Sequence, residues 1–576
     1  MDSIVCFNNV SFTYRHRSSP SISSVSLRVA PGDFLLLTGA TGCGKSTLLK
    51  MLNGLIPHES GGKLEGDVVV GGRSVSGLSV AEMSRTVGMV FQNPDDQIFS
   101  TTVFDEVAFV LENMGMTAAQ LEPQVKEALA LVGLADKEKA SVHALSGGQK
   151  QRLAVAAVLA AKPQVLALDE PISQLDPQGA AELLSVLQQL NAKLGITIII
   201  VEHRLHEVLP LCHKAAIMDA GRLIWQGKRE AAYNCQEMFA AYGLRLPQPV
   251  TLCHHLGVAA RSAKVDDAVA AIRQHYAIPG PANRPVPAAA ASLPVGQHPL
   301  SIPAIQAKQV FFHYDNPAQM VLNGVDLTVA AGQFIALMGS NGAGKSTLLH
   351  LLGGLLKPAT GEMQILGQRV AAVSPAVGMV LQNPDFMLFN STVREEIGFS
   401  LRQQNKGNTD GWTEYCELLA DRLGLGGLRE DFPLALSRGQ RLRVAIAAVL
   451  ANEPQVLLLD EPTTGQDIGH IEDIALLLRE YTRQGGSIIF CTHDTEVAAR
   501  FADRIIVMRQ GKIVADGAPA AVFQDQAMLK ASGLKPPAIL LAAQALYGGT
   551  ALTVEEVVGY VRQACLGSYT GEHPAS

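Results

Sequence analysis

The chain has 576 residues, a net charge of −7, and 48% hydrophobic against 17% charged residues, with a mean hydropathy of +0.18. This length predicts two to four domains, and the composition excludes intrinsic disorder, which requires low hydrophobicity and high charge. Water-soluble chains usually carry about a quarter charged residues, so the apolar balance points toward a membrane without requiring that the chain enter it.

No segment of the sequence is a good candidate for a membrane-spanning helix. The longest uncharged stretches are 285–307 and 536–554, and both are interrupted by proline or glycine. The start, MDSIVCFNNV, lacks a basic region followed by an apolar one, so no secretory signal is expected. The eight cysteines are scattered along the chain, without a CxxC pair. The sequence also has no sustained run of basic residues of the kind that binds nucleic acid. We therefore expect a cytosolic or peripheral protein that is unusually apolar.

The first motif along the chain is a glycine-rich loop. The apolar run FLLLT at 34–38 predicts a buried strand, and GATGCGKST at 39–47 follows it and fits G-x(4)-G-K-[ST]. In such a loop the backbone N–H groups close around phosphates, while the lysine reaches the β- and γ-phosphates and the serine can ligate Mg²⁺. Lys45 and Ser46 are the residues of this chain that take those places.

Four further motifs follow in the same half of the chain. VGMVFQNPD at 87–95 begins with a predicted strand, and LSGGQ at 145–149 precedes an alanine-rich helix. A Ser-Gly-Gly helix start can receive an anion, but on its own it could be an ordinary N-cap. PQVLALDEP at 163–171 is an apolar strand that ends in Asp169 and Glu170. The strand TIIIV at 197–201 leads into Glu-His-Arg.

The same series then repeats. GSNGAGKST at 339–347, VGMVLQNPD at 377–385, LSRGQ at 436–440 and PQVLLLDEP at 454–462 restate the motifs. Equivalent residues of the two copies are 300 positions apart at the glycine-rich loop and about 290 apart at the later motifs. The first copy is therefore expected to be about ten residues longer than the second between the glycine-rich loop and the QNPD motif. Accessory segments at 246–274 and 535–563 also match one another. Such self-similarity means that one architecture occurs twice.

The repeat defines a domain organisation of two cassettes. We expect a first cassette at 1–245 with an accessory helical segment at 246–275, and a second cassette at 305–534 with an accessory segment and tail at 535–576. The Pro/Ala-rich stretch 276–304 is expected to be an extended linker. Short apolar runs separated by longer helical patterns predict an α/β fold with buried parallel strands.

Carboxylates stand at the ends of equivalent strands in the two cassettes. In an open α/β sheet ligands bind at the carboxyl ends of the strands. Asp169 and Asp460 can there hold Mg²⁺ through water, and Glu170 and Glu461 can polarise an attacking water molecule. With two glycine-rich loops present, this arrangement predicts phosphoryl chemistry at two sites.

In this order the motifs resemble those of the ATP-binding-cassette (ABC) ATPases, twice and over nearly the whole chain. The resemblance implies two tandem P-loop NTPase cassettes, each with a RecA-like core, a helical subdomain and a small C-terminal extension, and ATP and Mg²⁺ as ligands. It further implies that Gln92 and Gln382 contact the metal, that His203 and His493 lie near the γ-phosphate, and that Asp176 and Asp467 are the D-loop aspartates. Tyr14 and Tyr314 take the place where the family stacks an aromatic ring on adenine.

The residues expected to carry this function are the catalytic Glu170, His203, Glu461 and His493, the metal ligands Ser46, Gln92, Asp169, Ser346, Gln382 and Asp460, and a larger ATP-binding set. The ATP-binding set comprises Tyr14, Gly39, Ala40, Thr41, Gly42, Cys43, Gly44, Lys45, Ser46, Thr47, Gln92, Ser146, Gly147, Gly148 and Gln149 in the first cassette. In the second cassette it comprises Tyr314, Gly339, Ser340, Asn341, Gly342, Ala343, Gly344, Lys345, Ser346, Thr347, Gln382, Ser437, Gly439 and Gln440.

In the family two cassettes pack head to tail, and each ATP lies between the phosphate loop of one and the signature serine of the other. The resemblance thus implies an intramolecular pseudo-dimer with two hydrolytically competent sites. Site one would join Lys45 to Ser437, and site two would join Lys345 to Ser146. Arg438 replaces the equivalent Gly147, so we expect a modest asymmetry in which site one is the unusual one.

Several kinds of ABC protein remain possible at this stage. QNPDDQIFSTTVFDEVAF at 92–109 and QNPDFMLFNSTVREEIGF at 382–399 are similar to segments of the energy-coupling-factor importers of vitamins, vitamin precursors and transition-metal ions. This implies an integral-membrane coupling subunit and a separate membrane substrate-binding subunit as partners. The alternatives are the fused ATPase of a sugar or peptide importer, and a soluble ABC protein of translation or DNA maintenance. The sequence does not specify the cargo.

Overall fold

The computed structural model describes residues 3–15, 19–276, 278, 302–403, 409–463 and 468–567. Most of the expected linker 276–304, and the expected D-loop residue Asp467, lie outside these ranges. The chain divides into two compact units, one of residues 1–250 and 260–263 and the other of residues 251–259 and 264–576.

The first unit contains ten strands that form two sheets. In chain order they are β1 (Val5–Tyr14), β2 (Ile22–Val29), β3 (Phe34–Gly39), β4 (Gly62–Val70), β5 (Arg73–Ser74), β6 (Val87–Val90), β7 (Val165–Asp169), β8 (Thr197–Val201), β9 (Lys214–Asp219) and β10 (Arg222–Lys228). The strand order is β10-β9-β3-β8-β7-β6 in the larger sheet and β2-β1-β4-β5 in the smaller, antiparallel one.

The larger sheet is parallel apart from its edge strand β10. Every residue of β3, β7 and β8 is buried, as expected for strands that are covered on both faces and are rich in Val, Ile and Leu. β3 lies between β8 and β9, so the loop that follows it opens at the carboxyl edge of the sheet. The strand predicted at 34–38 and the three predicted after it all occur in this sheet.

Helices connect the strands of the first unit. They are α1 (Lys45–Leu52), α2 (Leu55–His58), α3 (Val80–Met83), α4 (Val103–Asn113), α5 (Ala118–Leu131), α6 (Gly147–Ala160), α7 (Pro177–Leu194), α8 (Leu205–Val208), α9 (Arg229–Tyr233) and α10 (Gln236–Ala241), and two further helices follow, α11 (Gln248–His255) and α12 (Val265–His275). The consecutive helices α4, α5 and α6 pack against one another and form the helical part of the cassette between β6 and β7.

The second unit repeats this plan. Its strands are β11 (Ile305–His313), β12 (Met320–Val329), β13 (Phe334–Met338), β14 (Thr360–Ile365), β15 (Gln368–Arg369), β16 (Val377–Val380), β17 (Val456–Asp460), β18 (Ser487–Cys491), β19 (Arg504–Arg509) and β20 (Lys512–Gly517). The sheets have the orders β12-β11-β14-β15 and β16-β17-β18-β13-β19-β20, which match the first unit strand for strand. The tandem α/β fold predicted from the sequence is therefore confirmed.

The helices of the second unit follow the same plan. They are α13 (Lys345–Leu352), α14 (Val393–Gln403), α15 (Thr409–Arg422), α16 (Arg438–Leu450), α17 (Ile468–Arg483), α18 (Thr495–Phe501), α19 (Pro519–Gln524), α20 (Gln526–Ala531), α21 (Ala538–Tyr547) and α22 (Val554–Gly567). No helix within the described residues is both long and apolar enough to cross a membrane.

The strand pairing shows where the ten-residue difference between the copies arises. Val5 pairs with Val70 in the first unit, and Ile305 pairs with Ile365 in the second, so the offset is 300 on one strand and 295 on its partner. It reaches 290 only at Val87 and Val377, where β6 and β16 begin. The first copy therefore has extra residues in two places, and the short helices α2 and α3 occupy them.

The accessory helices of both copies belong largely to the second unit. α12, from the end of the first copy, packs against α21 in the second. Two equivalent arginines make reciprocal hydrogen bonds there: Arg273 donates to the Ala545 carbonyl over 2.5 Å, and Arg562 donates to the His255 carbonyl over 2.9 Å. The repeat is thus also visible in how the two accessory segments contact each other.

Candidate nucleotide sites

The glycine-rich loops have a backbone that only glycine adopts without strain. Gly39 has φ 146° and Gly339 has φ 144°. A Cβ on Gly39 would lie 2.0 Å from the Met218 carbonyl oxygen, and one on Gly339 would lie 2.2 Å from that of Met508. Glycine is therefore required where each loop leaves its strand and passes the neighbouring strand. The loops then run directly into α1 and α13, whose N-terminal N–H groups face the same edge.

The two loop lysines are buried and lie across their own loops. Lys45 Nζ donates to the carbonyls of Gly39 and Ala40, both over 2.8 Å. Lys345 Nζ donates to Gly339 and Ser340 over 2.8 and 3.1 Å. Each ammonium group is thus held over the concave side of the loop, where an anionic ligand would meet it.

The strand-end aspartates contact the loop serines. Ser46 Oγ donates to Asp169 Oδ1 over 3.0 Å, and the Ser346 side chain also hydrogen-bonds to the Asp460 carboxylate. Burial, followed by the neighbouring Glu170 charge, raises the pKa of Asp169 to about 6, and burial likewise raises the pKa of Asp460. Within the described residues Asp460 Oδ1 is buried without a hydrogen-bond partner. An oxygen-ligated cation such as Mg²⁺ suits this hydroxyl and carboxylate pair.

The two glutamates that follow these aspartates share an uncommon backbone. Glu170 has φ 47° and Glu461 has φ 53°, in the left-handed region that costs a non-glycine residue about 1–3 kcal/mol. The bend turns each carboxylate toward a histidine. His203 Nε2 lies 3.2 Å from Glu170 Oε1, and His493 Nε2 lies 2.8 Å from Glu461 Oε1. Strain of this kind concentrates at functional sites because the surrounding structure must maintain it.

The glutamines expected to contact the metal differ between the units. Gln92 is partly buried after β6 and donates from Nε2 to Glu170 Oε2 over 2.8 Å. Gln382 occupies the equivalent place after β16, with an exposed side chain. The structure therefore brings Gln92 directly to the predicted catalytic glutamate.

The expected adenine-stacking tyrosines are tied to the phosphate loops. The Tyr14 hydroxyl lies 3.1 Å from the Thr47 hydroxyl, and the Tyr314 hydroxyl lies 3.2 Å from that of Thr347. Tyr314 is 53% exposed, so its ring is accessible to a planar ligand. Each aromatic ring is thus placed beside the first turn of the helix that follows the loop.

The signature serines form capping boxes at the starts of α6 and α16. Gln149 N donates to Ser146 Oγ over 3.3 Å, and Gln440 N donates to Ser437 Oγ over the same distance, while each glutamine side chain accepts from the serine amide. A Cβ on Gly147 would meet no atom within 4 Å. The position thus has room for a side chain, which explains how Arg438 is accommodated at the same place in the second unit.

Within each unit the structure brings together four of the predicted groups: the loop lysine, the aspartate, the glutamate and the histidine. Asp176 lies further along the chain, where it caps α7 by accepting from Gly179 N over 2.8 Å. Glu202 and Arg204 belong to none of the predicted sets of site residues, although they flank His203 in the same segment. The sequence does hold one indication of their importance: Glu202 is a charged residue directly after the apolar run of β8, where the second copy has threonine.

The chain is similar to known proteins along most of its length. The family model described as "ABC transporter" matches residues 22–173 and 322–464. A putative ABC transporter ATP-binding protein of Methanosarcina mazei is 39% identical over 569 residues, with 96% of each chain covered. One of Caldanaerobacter subterraneus is 34% identical over 586 residues and covers 98% of this chain and 99% of its own. The solved structure of cbiO1 from Clostridium perfringens, described as part of the ABC transporter complex cbiONQ, is 30% identical, with a TM-score of 0.39, and covers 44% of this chain and 100% of its own.

Proposed function

The chain belongs to the ABC transporter family as an ATP-hydrolysing subunit, and from this premise we propose that it powers a membrane importer of the energy-coupling-factor type. The cargo class that fits this type is a vitamin, a vitamin precursor or a transition-metal ion. The finer assignment rests on the two QNPD segments of the sequence and on the surface that they form.

The observation that carries the proposal is an exposed aromatic cluster after each QNPD segment. In the first unit Phe99 is 62% exposed and packs edge-to-face on Phe109, with ring centroids 4.4 Å apart. In the second unit Phe386 and Phe389 are 80% and 65% exposed, and Phe389 packs on Phe399 at 4.7 Å. Exposed apolar patches of this kind mark interaction sites. An amphipathic cytoplasmic segment of a membrane subunit is the partner that we propose for them.

These clusters are fixed to the helical part of each cassette. In the first unit the amides of Phe99 and Ser100 donate to the buried Glu106 over 3.1 and 2.9 Å. In the second unit Phe389 and Asn390 donate to Glu396 in the same way over 2.9 and 2.8 Å. Because each loop also begins at Gln92 or Gln382, movement at a nucleotide site can be passed to the cluster. We propose that ATP binding and hydrolysis drive the membrane subunit by this route.

The proposed chemistry uses the groups that the strand ends assemble. Ser46, Gln92 and Asp169 in one cassette, and Ser346, Gln382 and Asp460 in the other, would hold Mg²⁺, which when bound neutralises phosphate charge. Lys45 and Lys345 bind the β- and γ-phosphates. Glu170 and Glu461 accept a proton from the attacking water, and His203 and His493 hold those carboxylates in place.

By the family's architecture we propose that the two cassettes work as an intramolecular pseudo-dimer at the cytoplasmic face of the membrane. A second membrane protein would bind the cargo. The alternatives are the ATPase of a sugar or peptide importer, which would also bind a membrane subunit, and a soluble ABC protein, which would not. The partner that co-purifies with the chain distinguishes all three.

The test is to isolate the full chain from its own cells in mild detergent and to identify the proteins that accompany it. A small integral-membrane substrate binder would support the proposal, whereas ribosomes without any membrane protein would overturn it. A chain carrying Phe99→Asp, Phe386→Asp and Phe389→Asp should lose the membrane partner. The matched control is Leu194→Asp with Leu476→Asp, since these leucines are also more than half exposed but lie on α7 and α17. This control should retain the partner.

A further inference from the structure

We propose that Glu202 and Arg204 are positioning residues for Glu170, and that together they clamp the segment 171–175 that follows this glutamate in the first unit. The second unit lacks both residues. The inference rests on ATP hydrolysis, which the family performs, and is independent of the importer assignment.

Glu202 joins the two segments that carry the catalytic pair. Its side chain is almost completely buried, with only 1% exposed. One oxygen accepts from the Ile172 amide over 2.9 Å, and the other accepts from the His203 amide over 3.2 Å. A single carboxyl group thus bridges the turn after Glu170 and the turn that presents His203. Any displacement of one turn relative to the other would break one of these hydrogen bonds.

Arg204 holds the same segment from its other end. Its guanidinium Nη1 donates to the carbonyls of Ile172 and Leu175 over 3.0 and 2.9 Å, and its Nη2 contacts Glu207 on α8. The planar guanidinium group is suited to such simultaneous hydrogen bonding. Ile172 is therefore held by its amide through Glu202 and by its carbonyl through Arg204.

The turn also closes on itself. The Glu170 amide donates to the Val201 carbonyl over 3.0 Å, and Ser173 Oγ donates back to the Glu170 carbonyl over 2.9 Å. In the first unit these bonds and the clamp fix the peptide groups on both sides of Glu170. With that backbone fixed, its two carboxylate oxygens face His203 and Gln92.

The corresponding side chains of the second unit make different contacts. Thr492 replaces Glu202, and its hydroxyl lies 3.3 Å from that of Thr463, the counterpart of Ile172. Asp494 replaces Arg204 and caps α18, accepting from the amides of Glu496 and Val497 over 2.9 and 3.0 Å. The Thr492 hydroxyl also accepts from the Asp494 amide over 3.0 Å. Its contact with Thr463, however, joins two side chains, and this constrains the turn less than hydrogen bonds to the amide and carbonyl of Ile172 do.

Burying the Glu202 carboxyl group beside a second acid disfavours its ionised form. Burial, followed by the charge of Glu170, raises the pKa of Glu202 to about 8, while Arg204 opposes the shift. The neighbouring strand β3 supplies only a backbone group here, the Leu37 carbonyl, which accepts from the Glu202 amide over 3.3 Å. What Glu202 contributes to the first unit is its two hydrogen bonds, one to the Ile172 amide and one to the His203 amide.

The test measures steady-state ATP hydrolysis by the purified full chain carrying Glu461→Gln, so that only Glu170 turns over. Adding Glu202→Thr, which installs the residue of the second unit, should lower kcat about tenfold, the effect of a misplaced catalytic group, and leave KM for ATP within about twofold. Adding Glu202→Gln, which retains the volume and an acceptor, should restore at least a third of the parent kcat. An unchanged kcat in the threonine variant, or a rise in KM that accounts for the whole loss, would overturn the proposal.

A second variant covers the case in which the threonine variant does not fold. Arg204→Lys retains the charge but replaces the planar group, in which Nη1 reaches both carbonyls while Nη2 contacts Glu207, by a single ammonium nitrogen, and it should lower kcat about three- to fivefold at constant KM. The matched control is Thr492→Val in a chain carrying Glu170→Gln, in which only Glu461 turns over. That control should change kcat less than twofold, and a loss as large as that of Glu202→Thr would contradict a clamp specific to the first unit.

Discussion

In the first unit the residue before the site histidine is the buried Glu202, and in the second it is Thr492, yet the histidines lie within 3.2 and 2.8 Å of their glutamates in both. The strands, the glycine-rich loops and the left-handed glutamates also coincide. The copies differ instead outside these groups: in the clamp on segment 171–175, in the helices α2 and α3, and in the side chain at the signature turn. The groups predicted to react thus occupy equivalent places in the two units while residues around them differ, so we expect the two sites to share a chemistry and to differ in rate.

The largest effect is expected when the glutamate that the two units have in common is replaced in both. A chain carrying both Glu170→Gln and Glu461→Gln should lose at least about a hundredfold in ATP hydrolysis, because general-base catalysis contributes a factor of about 10²–10⁴. Phosphate release at saturating ATP measures this. ATP binding, followed by a fluorescent analogue, should persist, and a residual rate above a tenth of the parent would show that another group acts as the base.

A smaller effect separates the two phosphate loops. Lys45→Ala and Lys345→Ala should each weaken ATP binding at one site, since each lysine reaches the phosphates. Because the supports differ, the losses in hydrolysis should be unequal by at least about twofold. Parallel rate measurements on the two variants provide the comparison. Equal losses in the two variants would contradict a functional difference between the two ATP sites.

The residues at the equivalent positions of the two signature turns, Gly147 and Arg438, can be exchanged for one another. Arg438→Gly in the second unit should change the hydrolysis rate by about two- to fivefold, the scale of a single accessible charge. The effect should shrink at high salt, which screens such a charge. Gly147→Arg is the matched counterpart, since a Cβ there meets no atom within 4 Å and the variant should fold normally. A salt-independent effect would mean that the bulk of Arg438 matters more than its charge.

A further prediction concerns the dependence of stability on pH. The pKa of Glu202 is raised to about 8 from an ordinary value of 4.5, so the folded chain holds a proton that the unfolded chain releases between these values. The stability that this proton confers is complete below pH 4.5 and is lost as pH rises toward 8. Glu202→Gln removes this dependence, so its melting temperature should rise relative to the parent between pH 5 and 8.5. Thr492→Val should show no such trend.

Much of the architecture could be predicted because buried parallel strands have a clear pattern. FLLLT, QVLALD and TIIIV are short, apolar and rich in branched residues, and each forms a strand that ends at the carboxyl edge of the sheet, where the motifs lie. The antiparallel sheets built on β1 and β11 were not foreseen, because their alternation is broken by bulges such as that between Asn8 and Ser11.

The site residues were accessible to sequence analysis where a motif has fixed spacing, and not where support comes from distant chain segments. Lys45 and Asp169 stand in recognisable patterns. The left-handed conformation of Glu170 has no sequence signature, and the contact of Glu202 with Ile172 joins residues 30 positions apart. Comparison of the two copies offered the remaining signal, because Glu202 and Arg204 change to threonine and aspartate next to an invariant histidine.

The most direct measurement of two working but unequal sites compares hydrolysis by Glu170→Gln and Glu461→Gln chains at saturating ATP. Each variant leaves one catalytic glutamate in place. The account predicts that both retain measurable hydrolysis and that their rates differ by at least about twofold. Equal rates would contradict the inequality of the sites, and complete loss in either variant would contradict their independent competence.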